Sequence, residues 1–173
     1  GGAIDSAAAD KAANFIEICS AHGLPMLSFV DTPGFMVGPD SEKEGAFRRM
    51  GELFKHGARI KTPLVGIILR RGYGLGAMAM MGGSFVDPIY SASWPNGEFG
   101  GMGLEGYVKL GFKKELEAEE TEEKKKALFD KLVARMYEVG KATEAAAHLE
   151  MDAVIDPAST RETILKAFKS FGA

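Results

Sequence analysis

Cysteine is nearly missing from this 173-residue chain, where Cys19 stands alone. An internal disulfide is impossible, and a cysteine-ligated zinc or iron–sulfur site has too few ligands. No metal site is expected, and the thiol usage fits a reducing, cytoplasmic location. Long apolar runs are also absent: none approaches the roughly 20 residues needed to span a bilayer. The N-terminus carries no basic-then-apolar signal pattern. It lacks an initiator Met as well, since Gly1-Gly2-Ala3-Ile4 runs straight into a helical pattern. That is the expected look of a piece of something larger. Charge of one sign is missing too: 21 Lys and Arg face 24 Asp and Glu, for a net −3. Neither nucleic acid nor an anionic membrane is expected as a partner.

What the chain does have is 46% apolar residues, enough for a single globular domain with a sizeable core. Asp5 to His22 reads as a helix, with Ala8, Ala12, Phe15, Ile16 and Cys19 at helical spacing. Asp5 or Ser6 can cap its start. Met26 to Val30 reads as a short, continuously apolar strand, which suits a central position covered on both faces. A loop from Thr32 to Pro39 follows. A helix over Glu44 to Lys61 places Phe47, Met50, Leu53, Phe54 and Ile60 as buried candidates. The strand Leu64 to Leu69 leads into a glycine-rich stretch, and Ile89 to Trp94 is the next strand. A second glycine-dense loop, Pro95 to Gly103, and a short helix, Leu104 to Leu110, come after it. The order of helix, strand, helix and strand points to parallel α/β organisation.

Beyond that, Lys113 to Lys126 reads as a solvated face. Ala127 to Val139 is amphipathic through Leu128, Leu132, Val133 and Met136. Ala142 to Leu149 is a short helix, Val154-Ile155 a small strand, and Thr160 to Phe171 the last helix. Residues 1–112 thus form an α/β core, and 113–173 a mainly helical tail suited to packing or assembly rather than chemistry.

The centre of the pattern is Arg70-Arg71-Gly72-Tyr73-Gly74-Leu75-Gly76-Ala77-Met78-Ala79-Met80-Met81-Gly82-Gly83. A helix beginning at its glycines leaves its first N–H groups without internal partners, and those donors suit an anionic oxygen. The same residues could simply be a tight strand-to-helix turn. Gly72, Gly74 and Ala77 also spell the Gly-x-Gly-x-x-Ala of a dinucleotide fingerprint. Met81-Gly82-Gly83 stops the helix too soon for that, and Trp94 stands where an acidic residue is needed. His22, His56 and His148 have no partner at a catalytic spacing. Asp31 and Glu98 close strands beside glycine loops, where a carboxylate more often caps an N–H than moves a proton. The methionines fill core gaps more readily than they form a cofactor box. The residue is a site built from backbone donors, suited to developing negative charge on oxygen.

Val30-Asp31-Thr32-Pro33-Gly34-Phe35, Arg71 to Ala77, Trp94-Pro95-Asn96-Gly97-Glu98 and Val154-Ile155-Asp156-Pro157 occur in an ordered set. Together they resemble the C-terminal half of the carboxyltransferase (beta-type) subunit of biotin-dependent acyl-CoA carboxylases. The resemblance covers nearly the whole chain. It implies a crotonase-like fold, a ββα superhelix in one domain with a helical C-terminal tail. It implies carboxybiotin on a biotin carboxyl carrier protein as cofactor and acyl-CoA as substrate. It also implies an N-terminal carboxyltransferase half as partner, and a homo-oligomer whose active sites form between halves. CO2 would pass to the acyl α-carbon through enolates held in backbone oxyanion holes. By position, the main-chain N–H groups of Gly76 and Ala77 would be the biotin-side donors. Tyr73, Gly74, Met78, Ala79 and Met80 would line the pocket, and Gly34 and Phe35 its neighbouring wall. Leu75 is an extra residue relative to some members, so that assignment could shift by one. Three alternatives stay open: a non-catalytic oligomerisation domain of the same fold, a biotin-dependent decarboxylase subunit, and a stand-alone hydratase or thioesterase.

Overall fold

A computed structural model describes residues 1–172 as one sheet flanked by nine helices. The first helix, α1 (Ser6–Ala21), starts where Asp5 accepts a hydrogen bond from the Ala8 N–H at 2.7 Å. Its inward face is Ser6, Ala9, Ala13 and Cys19. Phe15, expected inside, is 61% exposed. The alanines are what let α1 pack closely on its neighbour, and the larger side chains point out.

Strand β1 (Met26–Thr32) pairs in parallel with β2 (Leu64–Tyr73). Strand β3 (Tyr90–Ser93) pairs with the first half of β2, and β4 (Glu98–Gly100) with its last residues, Arg71 to Tyr73. Strand β5 (Ala153–Val154) pairs with β3. All of these ladders are parallel, in the order β1-β2-β3-β5 with β4 against β2. Leu64 to Ile68 are buried without a break, so β2 is the central strand. β1 is not: it lies at the sheet edge, and Leu27 and Phe29 face outward half-exposed. Both of its faces are apolar, which hid the alternation that marks an edge.

The helix expected over Glu44 to Lys61 is two helices, α2 (Pro39–Lys43) and α3 (Ala46–Gly57). Between them Gly45 takes the left-handed conformation at φ 73°, which ends one helix and starts the other. Ala46, Met50 and Leu53 are buried on α3, and Phe47 is 67% exposed rather than buried. Helix α4 (Gly74–Met80) follows β2 directly and stops after seven residues. Helices α5 (Leu104–Gly111), α6 (Lys113–Glu117) and α7 (Glu122–Val139) form a surface group packed on one another. Thr121 caps α7 by accepting from the Lys124 N–H. Helix α8 (Ala142–Ala147) sends Ala142 and Ala145 into the core, and α9 (Thr160–Ser170) ends the chain. The helical tail thus returns to the sheet through β5. Trp94 ties it there by donating its indole N–H to Thr160 at 2.9 Å.

Candidate active site

Three glycine loops meet at the C-terminal end of β2. At the first, Gly76 lies directly on the Gly34–Phe35 peptide. A Cβ added at Gly76 would sit 2.7 Å from the Gly34 carbonyl carbon and 2.9 Å from the Phe35 nitrogen. No side chain fits there. At the second, Gly74 takes φ 60°, and a Cβ on it would lie 2.7 Å from the Gly101 oxygen. The strand-to-helix turn therefore needs glycine for both space and conformation. Gly34 is itself at φ 112°.

The polar groups of the first loop are already engaged. The Gly34 N–H donates to the Thr32 hydroxyl at 3.1 Å, and the Gly34 carbonyl accepts from the Ile4 N–H at 3.0 Å. The start of α4 is different. With Tyr73 as its N-cap, helix geometry leaves the Gly74, Leu75 and Gly76 amides without helical partners. Ala77 is one position further on, where the helix's own ladder begins. No side chain caps this end.

These loops open onto a groove of about 560 Å³. Gly34, Phe35 and Gly74, three of the expected site residues, line it. Gly76 forms its seam with the first loop. Tyr73 is buried beneath, and its hydroxyl donates to Glu98 Oε2 at 2.6 Å. Burial, then the Glu98 carboxylate, raises the Tyr73 pKa well above that of an ordinary phenol. Ala77 and Ala79 are fully buried in two different apolar clusters, and Met80 packs against both. Met78 is partly exposed. The side chains of Tyr73, Met78, Ala79 and Met80 are not part of the groove lining.

The strand-end carboxylates are occupied. Asp31 accepts from Arg70 Nη2 at 2.9 Å and from Arg71 Nε at 2.8 Å. Arg70 and then Arg71 hold its carboxyl at about 2, against the opposing effect of desolvation. Glu98 is engaged by Tyr73. No histidine, carboxylate or lysine lines the groove, and no metal-binding cluster occurs among the described residues. The site offers backbone N–H groups in an apolar setting and no side-chain base. Its remaining walls escaped the sequence reading. Phe47, Met50, Gly51 and Phe54 of α3 face it, with Val37, Leu75 and Met102 at its rim. The signal for them was present, because residues 47, 50, 51 and 54 share one helix face. Periodicity alone assigns that face to the core, because exposure cannot be seen in a periodic pattern.

The model of the carboxyl transferase domain family matches residues 1–171. The methylmalonyl-CoA carboxyltransferase 12S subunit of Propionibacterium freudenreichii subsp. shermanii is 32% identical over 171 residues, covering 98% of this chain and 32% of that protein. The biotin-dependent acetyl-/propionyl-coenzyme A carboxylase beta6 subunit of Mycobacterium tuberculosis (strain ATCC 25618 / H37Rv) is 33% identical over 168 residues, covering 96% and 35%. Among solved structures, a single-chain, multi-domain long-chain acyl-CoA carboxylase shares 53% identity at a TM-score of 0.84, covering 96% of this chain and 16% of that one. The transcarboxylase 12S hexamer shares 29% identity at a TM-score of 0.88, covering 98% and 32%. The chain spans about a third of the length of the curated relatives it matches.

Proposed function

The chain belongs to the carboxyl transferase domain family and has its crotonase-like fold, and from that premise we propose that it is the biotin-binding half of an acyl-CoA carboxyltransferase. Bound biotin, carried as carboxybiotin on a carrier protein, supplies activated CO2. This chain supplies the hydrogen bonds and the dry surface. The observation that carries the reading is the seam at Gly76, where two backbones meet too closely for any side chain. An uncapped helix start lies there beside a groove without charged lining.

The Gly76 amide, free at the start of α4, would donate to the ureido oxygen of biotin, whereas the expected second donor, the Ala77 amide, is taken up by the helix's own ladder. The partial positive charge at the α4 start would stabilise negative charge on an oxygen held there. Phe35 and Gly34 form the adjoining wall. Asp31 and Glu98 do not exchange protons with substrate; they hold β1, β2 and β4 in register beneath the cradle. The proton of the acyl α-carbon is therefore removed without a side-chain base from this half. The CoA moiety would be held by an N-terminal half, which agrees with a groove that offers no cation to CoA phosphates. Likeness to the long-chain carboxylase supports a long acyl substrate.

An amide-to-ester exchange at Gly76 in the complete protein removes one donor without adding a side chain. Carboxyl transfer should fall about 10²–10³-fold, the cost of one oxyanion donor, while biotin affinity changes little. Undiminished transfer would refute the assignment of this amide.

A further inference from the structure

We propose that the α3 side of the groove is the channel for the alkyl chain of the acyl thioester, and that Gly51 sets how long a chain it admits. This rests on the reading of the chain as half of an acyl-CoA carboxyltransferase.

The groove has two unlike ends. One is the glycine cradle at Gly34, Gly74 and Gly101. The other is walled by side chains that carry no hydrogen-bond donor and no strong acceptor: Phe35, Val37, Phe47, Met50 and Phe54. Such a wall gives nothing to CoA phosphates or pantetheine amides, which lose solvation without a partner. It suits methylenes, which gain from leaving water. The rings of Phe35 and Phe54 stand 6.2 Å apart and tilted, forming a continuous apolar floor from the cradle to α3. Phe47 stays largely exposed on the same helix face, so burial in this domain does not explain an aromatic there.

Gly51 completes the case. It sits inside α3, where glycine is destabilising relative to alanine. A Cβ on it would meet nothing within 4 Å, so neither packing nor backbone conformation demands glycine. What the missing side chain does provide is an open wall on the groove. Phe35, Phe54 and this opening line the same groove.

The test uses the full-length protein with its biotin carrier, with propionyl-, octanoyl- and palmitoyl-CoA as substrates. Each methylene that reaches the channel should raise kcat/KM about fourfold. Gly51→Leu fills the opening and should lower the palmitoyl-to-propionyl ratio of kcat/KM at least tenfold. Gly51→Ala should give a smaller fall, and thermal unfolding checks that both variants fold. A ratio unmoved by Gly51→Leu overturns the proposal. So does a variant that instead weakens subunit assembly in sedimentation, because the groove would then hold protein. Displacement of a fluorescent 16-carbon acyl-CoA separates the two readings. Chain-length-dependent binding that Gly51→Leu weakens, with no carboxyl transfer to any acyl-CoA, refutes the carboxyltransferase reading and keeps the channel. Transfer without chain-length dependence refutes the channel alone.

Discussion

At the scale of single residues, two positions show how much rests on atoms that are not there. Gly76→Ala would press a methyl onto the Gly34–Phe35 backbone, and neither partner can rotate away. Overpacking of that kind costs about 1–3 kcal/mol, so chemical denaturation should show a loss of this size together with impaired transfer. A variant as stable as the parent would mean the two loops part easily. Asp31 gives the electrostatic counterpart. Its folded pKa of about 2 lies below the 3.8 of an unperturbed aspartate. The contribution to stability is therefore complete above pH 4 and lost as pH falls from there toward 2. Because the carboxylate is about one-third exposed, solvent screening reduces the contribution to about 1–2 kcal/mol. Asp31→Asn should lose that much at neutral pH, and acid titration should show a shallower decline between pH 4 and 2. The glycines were legible in the sequence as a candidate cradle, and Asp31 as a strand-end carboxylate suited to capping rather than proton transfer. That Asp31 is bound by two arginines was not, because Arg70 and Arg71 are 39 and 40 residues away.

At the scale of elements, α3 is the informative case. Its periodicity announces an amphipathic helix, and most of the element order follows from such patterns. Periodicity gives the face but not what lies against it. Leu53 is 1% exposed within the cluster that joins α1, α3 and α4, whereas Phe47 on the same helix is 67% exposed. Leu53→Ala should cost about 2–5 kcal/mol. Phe47→Ala should stay within about 0.5 kcal/mol, as expected of a residue outside the core. Equal losses at the two sites would mean that the helix is rotated from the position described. The same limit explains β1. Continuous apolar character marks a strand covered on both faces, and β2 conforms. In β1 the outward Leu27 and Phe29 are apolar without being covered by this chain.

At the scale of the whole molecule, those outward residues form a continuous strip. Phe15 of α1 and Leu27 of β1 share one shallow groove, and Leu27, Phe29 and Leu165 of α9 share the next. A contiguous strip of exposed apolar side chains is what an interface leaves behind when its other side is missing. Its lining residues differ from those of the cradle groove, although Ala79 and Met80, expected in the biotin pocket, line its first part. We expect the chain to self-associate reversibly when it is prepared alone. Leu27→Lys with Phe29→Lys should suppress that association in sedimentation velocity while shifting unfolding by no more than about 0.5 kcal/mol per site, as is usual for exposed positions. The pair should leave biotin titration at the cradle unchanged, because no lysine is introduced near Gly76. A chain that is monomeric at every concentration, or a double variant that associates as strongly as the parent, would remove the strip as an interface. Loss of biotin binding along with association would show that the cradle is completed only by the neighbouring copy, and that the strip helps to build the site.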